Sequence, residues 1–380
     1  MNHYLIIAMD MNTTPPGVVF KTLARALSHH AKLTVVCPDT DPGFDWEGIK
    51  LIQPKHYHEH SWRTVTRFWR MYHTNPDDNR WVRKAFRAVW PEVKKESYNA
   101  VMVFTSMCYF PSLELGRRIA ARLNLPWYIY SVDCIPAPMV WLEDTSPIVH
   151  QRITSSLDKT CQSASAFFSS NPFMAEYQKR SFPSFKGKWS YLYTPHLQTF
   201  SYPKTPHEGL HFLYTGNLYG LRRIDGLLEG FEAFAKDNPG AKLTFVGNFA
   251  IEYQNLAKPL IEKGLVEMLP YSKDLSSFFG NADILLDIAA DIPDDVYLSS
   301  KIVSYLSIDR PILAISGANS PSRNIMSGIP SIVHASNDGA DVLRAIKACV
   351  ENIGKGIEDR KSIREEVKAD NIVRKLLSVL

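Results

Sequence analysis

Apolar and polar residues fall into blocks along this chain, and the blocks repeat in a fixed order. An apolar run, Tyr4 to Met9, is followed by a turn-rich loop at Asn12 to Gly17, an amphipathic stretch at Val18 to His29, and a second apolar run at Lys32 to Cys37. Short apolar runs bounded by turn residues read as buried strands, and the 3.6-residue spacing between them reads as a covering helix. The opening is therefore expected to be β–α–β, with a parallel sheet. The unit recurs as strand Ala100 to Phe104, helix Leu113 to Leu123 and strand Trp127 to Ser131, followed by a helical segment Ser156 to Ser163 and a strand Ala166 to Ser170.

The order is interrupted once. Residues 195–210, PHLQTFSYPKTPHEGL, are proline-rich and without periodicity, which predicts a linker. Alternation then resumes with strand His211 to Tyr214, helix Asp225 to Lys236, strand Lys242 to Val246, helix Ile251 to Lys263, strand Val266 to Leu269, helix Asp274 to Phe279 and strand Asp283 to Asp287. SSKIVSYLSIDRPILAIS, residues 299–316, supplies a further helix and the strand Pro311 to Ile315, and Ala340 to Ile353 another helix. The expected fold class is α/β, with two Rossmann-like doubly wound domains at 1–198 and 205–362.

Composition narrows the class. The chain has 380 residues, 45% hydrophobic and 22% charged, as in folded globular proteins and too long for one ordinary core. Cys37, Cys108, Cys134, Cys161 and Cys349 are odd in number and widely spaced, with no CxxC pair, so they are expected to be reduced, mostly buried thiols in cytosol. No apolar run approaches the roughly 20 residues of a membrane span, and the start has no signal-peptide pattern, so a cytoplasmic location is expected. The net charge of +4 does not by itself imply nucleic acid. It is uneven, however: residues 60–95 hold nine Lys or Arg against three Asp or Glu.

Ligands of a doubly wound sheet bind where strand ends meet helix starts. The first such loop, MNTTPPG, ends at Gly17, on the side expected to take an acceptor; it has neither GxGxxG nor GxxxxGK[ST], so dehydrogenase and NTPase readings lose their usual motif. In YTGNLYGLRRIDGLLEGF, Gly216 allows a tight turn, Arg222 and Arg223 suit an anion, and Asp225 is expected to cap the next helix. Lys301 stands at another helix start, where the dipole already supplies positive charge, so it is mildly unfavourable unless an anion binds there.

Four segments, YTGNLYGLRRIDGLLEGFEAF, NPGAKLTFVGN, LPYSKDLSSFFGNADILLDIA and SSKIVSYLSIDRPILAIS, together resemble, in order and spacing, the second domain of GT-B glycosyltransferases, especially glycosyltransferase family 4 (group 1). The resemblance covers nearly all of residues 211–350. It implies two domains facing a cleft, a nucleotide-sugar donor held mainly by the second, no cofactor or obligatory metal, and a terminal helix, residues 363–380, packing back on the first domain. The family's arginine and lysine on the donor diphosphate fall at Asn217 and Arg222, and Lys301 where related enzymes keep a lysine near the phosphates. Its paired glutamates, with seven residues between them, fall at Val296 and Ser304, neither acidic, so donor identity and catalytic competence stay open. Asp294 and Asp295 are left as contacts for sugar hydroxyls, with Ser300 beside Lys301 in the donor set, and Tyr271 falls near the family's nucleobase pocket, with stacking on a base and core packing as its two readings.

For chemistry, WYIYSVDCIPAP places Asp133 past a strand end, where a carboxylate would deprotonate an acceptor hydroxyl; a turn or N-cap role before Pro136 is the alternative. In the basic segment, Arg63, Arg67 and Arg70 oppose Val65, Phe68, Trp69 and Tyr72, and Arg80, Arg83, Lys84 and Arg87 oppose Val82, Phe86 and Val89. With Trp62, Trp69, Trp81 and Trp90 this is the composition of an interfacial helix on anionic lipid or of a site for a lipid-linked acceptor, against the alternative of two helices covering the sheet. Nothing else in the chain supports nucleic acid. HYHEH, His56 to His60, reads as a solvated loop rather than a metal site. The expected function is transfer of a sugar from a nucleotide diphosphate to a glycan or lipid-linked acceptor at the cytoplasmic membrane face. A nucleotide-sugar isomerase or hydrolase, and a non-catalytic subunit of a polysaccharide assembly complex, are the alternatives.

Overall fold

A computed structural model of the chain describes residues 1–56, 76–107, 110–142, 146–195 and 202–380. Arg63, Arg67, Trp69 and Arg70, with Trp62, Cys108 and the histidines after His56 in HYHEH, lie outside the described residues. The chain divides into two compact units, Met1–Leu197 with Val367–Leu380, and Gln198–Glu366.

In the first unit β1 (His3–Ile7), β2 (Asp10–Met11), α1 (Pro15–Ser28), β3 (Lys32–Val36), β4 (Asp39–Thr40), β5 (Ile49–Ile52), α2 (Pro76–Val93), β6 (Ala100–Thr105), α3 (Phe110–Leu123), β7 (Trp127–Ser131), α4 (Pro147–Cys161), β8 (Ala166–Ser169), α5 (Pro172–Ser181) and β9 (Lys188–Tyr191) follow in turn. Seven strands pair in parallel in the order β5-β3-β1-β6-β7-β8-β9. The order reverses between β1 and β6, and crevices of doubly wound sheets open at that reversal.

The second unit runs β10 (His211–Thr215), α6 (Asp225–Asp237), β11 (Lys242–Val246), α7 (Ile251–Glu262), β12 (Val266–Leu269), α8 (Ser276–Asn281), β13 (Ile284–Ile288), α9 (Ser300–Tyr305), β14 (Ile312–Ile315), α10 (Pro321–Ile325), β15 (Ile332–Ala335), α11 (Gly339–Glu351) and α12 (Lys361–Glu366). Its six strands are parallel, ordered β12-β11-β10-β13-β14-β15, so the reversal falls between β10 and β13. Phe212, Tyr214, Phe231, Phe245, Ile284 and Leu286 are among the side chains buried on this sheet. Each such side chain contributes roughly 1.5–3 kcal/mol by leaving water.

Three sequence expectations change. Helix α1 begins at Pro15 rather than Val18, because the Thr14 hydroxyl accepts from the Gly17 amide at 3.2 Å and proline at the first position needs no donor. Gly17 is thereby buried in the first turn, so close to residues 10–12 that a Cβ would lie 2.7 Å from the Asn12 amide. The terminal segment, expected as one helix from Ile363, is two: α12 stops at Glu366, and α13 (Ala369–Leu377) packs on α1 inside the first unit. On α2, Trp81 is buried and donates through Nε1 to the Lys55 carbonyl at 2.9 Å, while Trp90 stacks on Phe86 against the core. These two tryptophans pack within the unit instead of presenting an apolar face to lipid; Arg80, Arg83, Lys84 and Arg87 remain exposed on the other side.

Arg360 supports the second unit's site from below. Fully buried, it donates to the carbonyls of Tyr305 (3.3 Å), Ile308 (3.1 Å), Arg310 (2.6 Å) and Ser331 (3.0 Å), and to the Ser331 hydroxyl at 2.7 Å. It thus ties the end of α9 to the start of β15. Burial lowers its pKa to about 10, which leaves the guanidinium charged at neutral pH.

Candidate functional site

At the reversal of the second sheet, the chain leaving β10 must turn at once. Gly216 does so at φ +115°, a conformation that L side chains rarely adopt. Its amide donates to the Val246 carbonyl at 2.8 Å, and its missing side chain leaves room for a cation: a Cβ there would lie 3.0 Å from Lys301 Cε and 3.4 Å from Nζ.

Lys301 reaches that space because α9 is pinned at both ends. Ser299 caps the helix, accepting from the Lys301 amide at 3.3 Å and donating to Asp287 Oδ1 at 2.7 Å. Tyr305, at the other end, accepts from the Thr215 amide at 3.2 Å and shares a hydrogen bond with the Thr215 hydroxyl at 2.8 Å. The Lys301 ammonium then donates to the Tyr214 hydroxyl at 3.2 Å and lies 4.5 Å from the centre of that ring; the Tyr214 hydroxyl in turn donates to the Asn217 carbonyl at 3.0 Å. Desolvation lowers the Lys301 pKa to about 8, with Asp287 raising it and Arg222 lowering it further. The puzzle of a lysine at a helix start is therefore local only in sequence, since the ammonium faces the neighbouring strand's end.

Arg222 and Arg223 part company. Arg222 donates from Nε to the Ile288 carbonyl at 3.2 Å, at the end of β13, and stacks 4.5 Å above the Tyr219 ring. Arg223 instead pairs with Asp225, at 3.1 Å from Nε, so it is neutralised on the surface. Asp225 is the first helical residue rather than the cap: it makes no capping bond, and accepts from Asn337 at 2.7 Å. The expected arginine pair supplies one site cation, Arg222.

Two carboxylates complete the cluster. Asp287, on β13, is buried, and its Oδ2 has no hydrogen-bond partner. Asp295 is buried in the following loop, its Oδ1 accepting from the Tyr297 amide at 3.1 Å and its Oδ2 without a partner. Burial pushes Asp295 up to about 6, so it exchanges its proton just below neutrality. Asp294, its neighbour, is exposed. At the two glutamate positions Val296 is buried, and the Ser304 hydroxyl donates to the Ser300 carbonyl at 2.9 Å. Ser300 is exposed at the helix start; Asn217 accepts from the Asn248 amide at 3.1 Å, fixing the two glycine-flanked loops together; and Tyr271 is 62% exposed, which removes core packing as its role.

The sequence reading had no signal for Tyr214, Asp287 or Tyr305, which look like ordinary strand and helix residues. Nothing in their neighbours' spacing says that β10, β13 and α9 converge. Gly216→Ala would both strain the backbone and press on Lys301. It is expected to destabilise the unit by about 1 kcal/mol and to weaken anion binding severalfold, read by denaturant unfolding and by titration. Unchanged binding would separate Gly216 from the lysine.

In the first unit Asp133 lies two residues beyond β7, partly buried, with the Ser131 hydroxyl donating to its carbonyl at 2.6 Å. Burial raises its carboxyl pKa, against the opposing pull of the Met107 amide and the Ser106 hydroxyl beyond β6. Among the described residues no group of three or more His, Cys, Asp or Glu side chains is arranged to hold a metal, and no helix is long and apolar enough to cross a membrane.

No protein-family model matches this sequence, and no curated protein matches it. Solved structures do match. Sucrose-phosphate synthase from Thermosynechococcus elongatus superposes at TM-score 0.68 with 14% identity, over 100% of this chain and 98% of that one. HepE from Anabaena in complex with UDP-glucose gives TM-score 0.65 at 12% identity over 100% of both chains. WaaG, a glycosyltransferase involved in lipopolysaccharide biosynthesis, gives 0.63 at 11% identity over 99% of both. With two units of parallel α/β structure and these neighbours at full length, the chain has the fold of the GT-B glycosyltransferases.

Proposed function

We propose that this protein transfers a sugar from a nucleotide diphosphate to a glycan or lipid-linked acceptor at the cytoplasmic face of a membrane. The observation that carries the reading is the half-buried Lys301 ammonium, held beside Gly216 at the strand-order reversal of the second unit with Arg222 in electrostatic reach. Two cations there match a diphosphate, and a structural neighbour of the same fold was solved with UDP-glucose bound. Lys301 and Arg222 stabilise the charge that builds on the diphosphate as the sugar departs, so no metal and no cofactor are needed. Asp295, with Asn217, Ser300 and Ser304 near the same turn, binds hydroxyls of the sugar or ribose, and exposed Tyr271 stacks on the base. Asp133 takes the proton of the acceptor hydroxyl. Arg83, Lys84 and Arg87, with Arg63, Arg67, Trp69 and Arg70, serve the acceptor or an anionic membrane, and Gly17 shapes the acceptor side. WaaG, a neighbour of the same fold involved in lipopolysaccharide biosynthesis, is consistent with such an acceptor.

The test is a thermal-shift screen across nucleoside diphosphates, followed by product analysis with the matching sugar donors, with and without lipid-linked acceptor. Arg222→Ala is expected to lower donor affinity and turnover together, by tenfold or more, on the order of one charge-assisted hydrogen bond. Tight binding without product under every acceptor condition would replace the transferase by a binding subunit.

A further inference from the structure

On the first unit, α2 and α3 pack side by side and leave a groove of about 500 Å³ between their exposed faces. Arg83 and Arg87 line it from α2, one turn apart, and Arg117, Arg118 and Arg122 line it from α3, with Phe86 at its floor. Among the described residues no acidic side chain lines the groove. Glu114, one turn back on α3, is a counter-charge beside it, accepting from Arg117 at 2.8 and 2.9 Å and from Arg118 at 2.6 Å. Burial would raise the Glu114 carboxyl, yet these two arginines outweigh burial and lower it, so its charge is already committed. Arg122 lies 5.9 Å from the Trp90 ring, and Trp90 stacks on Phe86 at 5.4 Å, so an aromatic pair stands beside the guanidinium groups. Arg83 and Arg87 stand exposed and have no ion pair with any of the described residues.

Five guanidiniums gathered around one recess repel one another, and one carboxylate shared by two of them relieves little of that. Planar forks converging from two helices bind phosphate oxygens bidentately, which scattered surface lysines cannot do. We propose that this groove is a binding site for a clustered phosphate anion, a diphosphate or the phosphate headgroup of an anionic lipid, distinct from the site around Lys301. The aromatic side chains beside the arginines favour a ligand with an apolar continuation over bare sulfate or chloride. The site rests on the reading above that gives Arg83 and Arg87 an acceptor or membrane role and extends it to Arg117, Arg118 and Arg122 of α3; binding here needs neither a sugar donor nor turnover.

The experiment uses the full chain carrying Arg222→Ala and Lys301→Met, so that the second unit's cations do not contribute, titrated calorimetrically with pyrophosphate at 0.15 M salt. A parallel arm measures co-flotation with phosphatidylglycerol vesicles. Arg83→Ala with Arg122→Ala is expected to weaken binding roughly tenfold or more, from the loss of two charge-assisted contacts. Arg87→Ala alone, a milder truncation, is expected to give a smaller loss in the same direction. Arg80→Ala removes the same charge from α2 outside the groove and is expected to change binding less than about twofold. Pyrophosphate binding with this pattern identifies a free phosphate ligand; vesicle binding with this pattern and no pyrophosphate binding identifies a lipid headgroup. Absence of binding in both arms, or equal losses for Arg80→Ala and the groove variants, overturns the site. Neither result touches the donor site, which is read separately from nucleoside diphosphate binding to the chain with Arg222 and Lys301 intact.

Discussion

Asp133→Asn is expected to lower turnover by roughly 10² to 10⁴ while leaving donor affinity unchanged, the range that general-base assistance supplies. Asparagine keeps the volume and the hydrogen-bond geometry of the aspartate but cannot take a proton from an acceptor hydroxyl. The stability prediction runs the opposite way. Burial raises the folded-state pKa of Asp133, so ionising it costs folding free energy, and that cost grows as pH rises from the ordinary carboxylate range through the raised value. The variant should therefore be as stable as the native chain at neutral pH, or more so. If the native chain catalyses the proposed transfer, its kcat/KM should rise with pH through the same raised pKa, and this ionisation should vanish from the variant's profile. Turnover within about threefold of native would remove Asp133 as the base, leaving it a turn residue.

Lys301→Met should weaken nucleoside diphosphate binding by about 10- to 100-fold, the value of a charge-assisted hydrogen bond in a partly desolvated site. Methionine fills much the same space beside Gly216 and Tyr214, so folding is not expected to suffer. It should improve below pH 8, because the lysine's pKa is depressed. A lowered lysine pKa means that the unfolded chain holds its proton more tightly, and the cost of the buried charge is present in full below about 8. That cost is relieved between about 8 and 10.5. Binding has the reverse slope. A diphosphate favours the charged ammonium, so native affinity should fall as pH rises past about 8, while the methionine variant's affinity stays flat across that interval. Calorimetric titrations at pH 7, 8 and 9 on both proteins read this directly. A native affinity that does not weaken at pH 9, or a variant that binds as tightly as the native chain, would place the phosphates elsewhere.

The two sheets were legible because their strands are continuous apolar runs, such as Ile284–Ile288 and Ile312–Ile315, that only a parallel sheet covered on both faces can bury. Elements that rest on an edge or a single turn were not. β5, β9, β15, α5 and α10 are short, and their residues mix polar and apolar types because one side stays in contact with solvent. Gly216, Arg222 and Lys301 could be singled out because each breaks a local rule: a glycine at a strand end, an arginine in a tight loop, a cation at a helix start. Arg223 broke the same rule as Arg222 and was indistinguishable from it until Asp225 was found beside it.

Periodicity and turn chemistry by themselves determined the α/β class and the restart after the proline-rich stretch, and they singled out the candidate cations along the chain. These depend on residues close in sequence. Which groups share a site was decided only in three dimensions. Lys301 meets Tyr214 across 87 positions of chain, Arg360 reaches Tyr305 across 55, and Arg83 faces Arg122 only because α2 and α3 lie together on one sheet. Strand order brings these partners together. Strand order is set by burial of whole faces, a property of the sheet that no short stretch of sequence carries.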